Sequence, residues 1–180
     1  MITVVEDYIG KYHIAKDEYT EENLDQYIKD NEKKYMRCLL GDSLYVEWIG
    51  DLLPTSIDVP QLPQQQRFLD LLNGGITYQD SYKKTVLYEG VRSMLLGFVY
   101  SEFLPDNWSR HTVTGNAKSN RDVSELTTPN QTVIQAEKRF NDSIDYYEAA
   151  QQYIRRSTDI FPEYQNNTVT IKRRFTFAGI

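Results

Sequence analysis

One stretch, residues 82–104 (YKKTVLYEGVRSMLLGFVYSEFL), constrains the fold most, because it is the longest apolar-rich segment without a proline. Its apolar residues recur at helical spacing and include Leu87, Val91, Met94, Leu95 and Phe98. This period predicts an amphipathic helix, with Asp80 or Ser81 as N-cap and Pro105 as its stop. At about 1.5 Å per residue, the helix would be about 34 Å long. We therefore expect it to be the central helix of one domain.

Two glycines, Gly90 and Gly97, lie one heptad apart within this predicted helix. Each costs up to about 1 kcal/mol in a helix interior relative to alanine. Close approach by another helix would compensate for that cost. The alternative is an ordinary core helix that tolerates both glycines.

Three helices are predicted before residue 54. Thr3 and Glu6 have the spacing of a capping box, which would open a short helix. A continuous apolar stripe in residues 21–40 predicts a second helix, which Gly41 would end. The polar side of this helix is expected to carry Asp25, Lys29, Glu32 and Lys33. A third, shorter helix would follow Gly41 and stop at Pro54.

Two more helices are predicted further along the chain. Pro63 suits the first position of a helix with the sequence QQQRFLDLL, which Asn73-Gly74-Gly75 would close. Residues 132–156 show one apolar face and one charged, glutamine-rich face, which predicts a long last helix. The apolar line of that helix includes Phe140, Ile144, Tyr147, Gln151 and Ile154.

The remaining segments are not helical in pattern. Residues 106–131 form a long polar stretch, which is either a functional or disordered loop or a hairpin that turns at Gly115-Asn116. Residues 168–177 alternate between apolar and polar side chains, which predicts a strand. A strand needs backbone partners, and two are possible: residues 112–114 of the same chain, or a neighbouring copy of the chain.

The predicted fold class is therefore mainly α: a helical bundle of about four to five helices with a long polar loop and a C-terminal β-strand arm. We expect residues 1–158 to form the helical domain, in which residues 105–131 are the polar loop or hairpin. Residues 159–180 are expected to form the C-terminal extended arm.

Charge and composition restrict the classes of function. A net charge of −6 and an isoelectric point near 5.0 argue against a protein that coats nucleic acid, because such proteins collect lysine and arginine. The single cysteine, Cys38, is expected to be a small buried hydrophobe. We find no signal peptide and no apolar run long enough to span a membrane, so synthesis in the cytoplasm and no membrane contact are expected.

The sequence shows no pattern of catalytic or metal-binding residues. His13 and His111 lie in different segments, and no nucleophile elbow, phosphate loop or dinucleotide fingerprint is present. The acidic run near residues 17–22 is better explained as a helix start than as a metal site. Lys172-Arg173-Arg174, the one basic run, is better explained as the polar face of a strand than as a DNA contact. We expect no enzyme activity, no cofactor and no metal.

The order of the segments resembles that of a known family. ITVVEDYIGKYHI, the acidic link and ENLDQYIKDNEKKYMRCLLG are similar to the start of the head-tail connector (adaptor) proteins of tailed double-stranded DNA phages. The central segment, the loop with TVTGNAKSN and the closing AEKRFNDSIDYYEAAQQYIRR resemble versions that include ring proteins of crAss-like phages. The resemblance covers most of residues 2–156. The insert at residues 54–75 and the terminal strand depart from the family pattern.

The resemblance implies a structural protein of the virion, located at the head-tail junction. Its implied partners are further copies in a dodecameric ring, the portal protein, and a tail or second ring protein, with double-stranded DNA passing through the lumen without specific binding. A ring needs heterologous interfaces that close, and tyrosine-rich, half-buried faces suit such interfaces.

We expect the loop and the terminal strand to supply the interface. The predicted interface residues are Thr112, Val113, Thr114, Val169, Ile171, Arg173, Phe175 and Phe177. The alternative function is a small acidic phage regulator that binds a host protein. A metal-dependent nuclease is a weaker rival.

Overall fold

The computed structural model describes residues 1–14, 18–53, 60–79, 83–112, 115–118, 129–165 and 169–175. The helices in these ranges are α1 (Glu18–Asp51), α2 (Gln66–Asn73), α3 (Val91–Trp108) and α4 (Pro129–Arg156), with 3₁₀ turns at Val5–Asp7 and Gly10–Tyr12. The strands are β1 (Ile76–Gln79), β2 (Thr85–Tyr88), β3 (Ser109–Thr112) and β4 (Gly115–Lys118). The predicted mainly α fold is confirmed.

The centre of the fold is the pair formed by α3 and α4. α3 packs along α4 and also contacts α1 and α2. A Cβ atom at Gly97 of α3 would lie 1.9 Å from Ser143 Oγ and 3.1 Å from the carbonyl oxygen of Arg139, both on α4. Of the two explanations offered for the glycines, close approach by another helix holds at Gly97, and an ordinary core helix that merely tolerates the glycine does not.

Alanine at Gly97 is expected to lower the free energy of unfolding by about 1–3 kcal/mol, because the added methyl group overpacks the α3–α4 contact. Gly50 of α1 is the matched control, since a Cβ atom there meets nothing within 4 Å. Gly50→Ala should raise stability by up to about 1 kcal/mol through helix propensity. Urea unfolding measures both changes. A gain in stability in both variants would show that the helices are not in close contact at Gly97.

Aromatic side chains fill the core around this helix pair. Tyr88 is buried, stacks on Tyr153 with ring centroids 4.7 Å apart, and donates a hydrogen bond to the carbonyl oxygen of Leu71 at 2.6 Å. Trp48 meets Phe68 edge-on at 5.3 Å. A second cluster joins the N-terminal turns to α1 and α3 and contains Tyr8, Tyr12, Leu24, Ile28 and Phe103. Several tyrosines are therefore core residues with a hydrogen-bonded hydroxyl, beyond the half-buried role expected from the sequence.

The predicted central helix is wrong before residue 91. Residues 85–88 form β2, which pairs antiparallel with β1 in a register that sets Ile76 opposite Tyr88. Gly90 has φ of +88°, and a Cβ atom there would lie 2.4 Å from the carbonyl oxygen of Leu72, so the helix cannot extend back through it. The proposed caps, Asp80 and Ser81, lie outside the described residues.

The predicted stop at Pro105 is also wrong. α3 continues to Trp108, so Pro105 lies inside the helix. It falls in the last turn, where the missing N–H removes a single bond close to the helix end.

The capping box predicted at Thr3 and Glu6 does not form. Asp7 instead closes the first turn, because its Oδ2 accepts the N–H of Val4 at 3.0 Å. Thr3 bonds to Glu32 of α1, which accepts the Thr3 N–H at 2.6 Å and the Thr3 hydroxyl at 2.7 Å. Glu32 also accepts the N–H of Ile2 at 2.8 Å. Glu32, predicted on the polar side of its helix, is only 5% exposed, so that placement is wrong.

Glycine and proline signals along the first half of the chain give a mixed result. Gly41 has φ of +70° and interrupts α1, which confirms the predicted end of one helix and start of the next. Gly74 caps α2 at the predicted position. α2 begins at Gln66 and not at Pro63, which instead forms a bridge with Leu52.

The polar stretch after α3 contains a hairpin, one of its two predicted forms. β3 and β4 pair antiparallel, with His111 opposite Asn116 and Thr112 opposite Gly115. Gly115 and Asn116 are therefore strand residues, and their predicted position in the turn is wrong.

Candidate interface at a docked segment

The predicted interface residues lie in two separate places. Thr112 ends β3, while Val169, Ile171, Arg173 and Phe175 belong to residues 169–175, which we call the docked segment. β3 pairs with β4 and not with the docked segment. The remaining three predicted residues, Val113, Thr114 and Phe177, lie outside the described residues.

The docked segment is reached through a turn that belongs to the core. Residues 157–165 follow α4, and Phe161 and Tyr164 in this turn are buried, with exposures of 1% and 7%. The Phe161 ring meets Tyr153 of α4 edge-on at 6.0 Å. The chain is therefore anchored up to Tyr164, and the docked segment starts five residues later.

The predicted C-terminal strand does not form within this chain over its described part, and its pairing with a neighbouring copy stays a prediction. Its residues 169–175 form no β-ladder with the described residues of the chain. Polar side chains of α4 bond to its backbone instead, which meets the need for partners that a sheet would otherwise meet. The alternating pattern of the sequence indicated an extended backbone, but it did not indicate the hydrogen-bond partners of that backbone.

Asn141 of α4 holds one end of the docked segment. Its Oδ1 accepts the N–H of Arg174 at 2.9 Å, and its Nδ2 donates to the carbonyl oxygen of Arg174 at 2.8 Å. One amide side chain thus satisfies both backbone groups of the same residue, as a neighbouring strand would do.

Tyr147 and Gln151 of α4 hold the other end. The carbonyl oxygen of Val169 lies 3.0 Å from the Tyr147 hydroxyl and 2.9 Å from Gln151 Nε2. The Tyr147 hydroxyl also lies 2.9 Å from the carbonyl oxygen of Cys38 in α1, and burial raises its pKa above the ordinary value. The segment therefore runs antiparallel to α4, covering ten helical residues, or about 15 Å, with five of its own, which is close to the rise of an extended chain.

Arg174 enters the bundle between α3 and α4. Its guanidinium lies 3.8 Å from the ring centroid of Phe140 and donates to Glu102 Oε1 at 2.8 Å. The same carboxylate oxygen accepts the Tyr35 hydroxyl at 2.6 Å and the Lys34 ammonium at 3.2 Å. Burial alone would raise the pKa of Glu102, but the Tyr35 hydrogen bond and the charges of Arg174 and Lys34 lower it below its ordinary value of 4.5.

The remaining side chains of the docked segment divide between core and solvent. Ile171 packs against the main core, and Arg173 makes an exposed ion pair with Asp145 of α4. Val169 is 44% exposed and Phe175 is 75% exposed. The residues that the pattern placed on one apolar face therefore do not share an environment. Near the end of the segment, Arg174 and not Phe175 points towards the bundle.

We call the α3 and α4 side chains that hold the docked segment the receptor face. They are Glu102, Phe140, Asn141, Tyr147 and Gln151. Sequence reasoning did not identify this set as a site. One signal was present: Gln151 stood in the otherwise apolar line of the last predicted helix, and a glutamine in such a line needs a buried polar partner.

Acidification should loosen the docked segment through Glu102. The folded pKa of Glu102 is lowered, so its stabilisation is complete above its ordinary value of 4.5 and is lost as the pH falls through the folded pKa. Hydrogen exchange of residues 169–175 across this range measures the loss. Glu102→Gln, which cannot titrate, should show faster exchange above 4.5 and a smaller change on acidification. An equal change in both proteins would contradict the assignment to Glu102.

In the described part of the chain, no group of three or more histidine, cysteine, aspartate or glutamate side chains is placed to hold a metal ion. None of the helices described has both the length and the hydrophobicity needed to cross a bilayer.

The fold is mainly α-helical, and residues 169–175 of the chain itself lie along α4. A family model described as a family of unknown function, DUF6712, matches residues 36–174, and the chain belongs to this family. The match includes α2, α3, α4 and nearly all of the docked segment. Comparison with curated proteins gave no match, and comparison with solved structures gave none either.

Proposed function

We propose that the protein is a structural subunit of a homo-oligomeric ring at the head-tail junction of a tailed phage. In this role it contacts the portal protein on one side and a tail or second ring protein on the other. Double-stranded DNA passes through the lumen. The resemblance of residues 2–156 to head-tail connectors suggests this particular assembly.

The observation that carries the proposal is the docked segment. It lies on the outside of the bundle, is held by side chains, and presents Phe175 with three quarters of its surface exposed. Exposed aromatic residues are typical anchors of protein interfaces. A segment that exposes Phe175 at one end and Val169 at the other is suited to contact with another subunit.

A second apolar surface supports an assembly role. Val46 and Ile49 lie three residues apart on one side of α1, and Leu53 follows two residues after the helix ends; they are 67%, 48% and 46% exposed. Leu62, 44% exposed, lies beside them, since its carbonyl oxygen accepts the N–H of Leu53 at 3.3 Å. A subunit in a ring needs two different contact surfaces, and contiguous apolar residues are suited to a contact of this kind.

Charge supports passage of DNA without adhesion. Neutralising phosphates with lysine and arginine releases counterions and gives affinity for DNA, and a chain with a net charge of −6 has little capacity for this. A lumen built from such subunits would let DNA slide.

Quantitative mass spectrometry of purified virions tests the proposal. A connector should be present in many copies per particle, whereas an acidic regulator that binds a host protein should be absent from particles. Deletion of residues 167–180 should leave a folded helical protein that no longer joins particles. Normal tailed virions assembled from the deleted protein would contradict the interface role of this segment.

A further inference from the structure

We propose that the docked segment is exchanged between copies, so that residues 169–175 of one subunit occupy the receptor face of the next. This inference rests on the proposed ring, because the ring supplies the neighbouring copy. The partner of the receptor face is then a second copy of this chain.

The docked segment binds as a short peptide ligand would. Its backbone is hydrogen-bonded at two points. Asn141 bonds to the backbone of Arg174, and Tyr147 and Gln151 bond to the carbonyl oxygen of Val169. Its half-buried cation, Arg174, fits between an aromatic ring and a carboxylate. Every subunit carries the same ligand and the same receptor, so exchange replaces each of these bonds with an identical one.

The receptor face is organised by contacts that do not involve the docked segment. Tyr35 donates to Glu102 and stacks on Phe98 with ring centroids 3.9 Å apart. Phe98 in turn meets Phe140 edge-on at 5.1 Å. The carboxylate and the ring that receive Arg174 are therefore positioned by α1, α3 and α4 themselves. The face is ready to bind when its own segment leaves.

Because the turn before the docked segment is anchored in the core, it limits how far away the neighbouring receptor face can be. Tyr164 is buried and Val169 is the first residue gripped by the receptor face, so the chain between them can span at most about 18 Å at about 3.6 Å per residue. Tyr147 and Gln151 of the neighbouring receptor face, which would bond to Val169, must then lie within that distance of Tyr164. Adjacent subunits in a ring meet this requirement only if their α4 helices are close neighbours.

The exposed apolar side chains favour exchange over docking within one chain. With the segment docked on its own bundle, Phe175 remains 75% exposed and Val169 remains 44% exposed. A segment that bridges two subunits runs along their boundary, where these side chains become covered. The polar bonds are equal in the two arrangements, whereas the apolar burial is gained only in the exchanged one.

A charge-swap experiment tests the exchange on the full chain. Glu102→Arg spoils the receptor face and Arg174→Glu spoils the segment, so neither single variant can dock its own segment. If segments are exchanged, a ring of alternating variants contains two kinds of contact. Arg174 of the Glu102→Arg variant meets the unchanged Glu102 of its neighbour. The Glu at position 174 of the other variant meets the Arg at position 102. The mixture should then form rings as the double variant does, at least about tenfold more than either variant alone, because like charges placed together are strongly unfavourable. Rings from the double variant but none from the mixture would overturn the exchange.

A second measurement needs no change in the receptor face, and it applies even if Glu102→Arg fails to fold. A photo-crosslinking amino acid replaces Phe175, and nitrogen-14 and nitrogen-15 forms of the protein are mixed, assembled and irradiated. Crosslinks between isotopes, joining position 175 to α4 of another copy, are expected. Rings whose crosslinks stay within one isotope would overturn the exchange and leave the ring intact. Monomers with same-isotope crosslinks alone would also overturn it, and the virion copy number then decides the proposed function separately.

Discussion

Replacing Arg174 with alanine is expected to free the docked segment while leaving the helices folded. The variant loses an ion pair with Glu102 at 2.8 Å and a cation–π contact with Phe140 at 3.8 Å. Each contact contributes about 1 kcal/mol once the 39% exposure of the Arg174 side chain is considered. A total of about 2 kcal/mol shifts the ratio of docked to free segment about thirtyfold. Ring formation should fall with it.

Arg173→Ala is the matched control for this prediction. Arg173 is the adjacent residue, has the same charge, and pairs with Asp145 on the surface of α4, where an ion pair contributes little. Hydrogen exchange of residues 169–175 should accelerate strongly in Arg174→Ala and little in Arg173→Ala, while circular dichroism of both stays unchanged. Equal effects of the two substitutions would mean that general positive charge, and not the Arg174 position, holds the segment.

Replacing Glu32 with alanine is expected to be among the most destabilising single changes in the chain. The carboxylate accepts three hydrogen bonds, from the N–H of Ile2, the N–H of Thr3 and the Thr3 hydroxyl. Both Thr3 and Glu32 are buried, so the variant leaves three hydrogen-bond donors without an acceptor in a region shielded from solvent. Unsatisfied buried groups cost about 1–3 kcal/mol each, and we expect a loss of about 3–5 kcal/mol in the free energy of unfolding.

Two control variants test whether loss of the carboxylate causes the destabilisation of Glu32→Ala. Glu32→Gln keeps one acceptor oxygen but turns an NH₂ group towards donors, so its loss should be intermediate. Lys33→Ala lies next in sequence on the exposed side of α1 and should change stability by less than about 0.5 kcal/mol. Urea unfolding measures all three proteins. If Glu32→Ala is no more destabilising than Lys33→Ala, Ile2 and Thr3 are not held to α1 by this carboxylate.

Burial of Glu32 has a further consequence for pH dependence. Desolvation raises its pKa, and the bonds from Ile2 and Thr3 only partly offset that effect. A raised folded pKa means that the folded protein binds this proton more tightly than the unfolded chain does. The stability contributed by this titration is therefore present below the ordinary value of 4.5 and is lost as the pH rises through the folded pKa. The Glu102 and Glu32 effects thus have opposite signs.

Local patterns predicted the helices well where side-chain period and backbone signals agreed. The break at Gly41, the cap at Gly74 and the last helix all follow from such agreement. The central segment shows where they fail. Residues 85–88 fit a helical stripe when read with residues 91–98, but Gly90 requires a left-handed φ, and pairing with β1 makes the segment a strand.

Whether the predicted residues form an interface stays a prediction. The alternation at residues 168–177 placed Val169, Ile171 and Phe175 on one face, but in the structure Val169 and Phe175 are exposed and Ile171 packs against the core. It did not predict Arg174 as the anchor, because the alternation places that residue on the outer side. Its partners, Glu102 and Asn141, lie 72 and 33 residues away in the sequence, and no local pattern relates them to it.

The amino-acid sequence by itself determined the mainly α class, the main breaks between helices and the existence of an extended segment after the last helix. These depend on side-chain period and on the backbone preferences of glycine and proline, which act over a few residues. Only the tertiary structure decided that Glu32 is buried, that residues 85–88 form a strand and that α4 binds the docked segment. Each of those outcomes depends on which polar groups find partners far along the chain, and such partners exist only after the helices have packed.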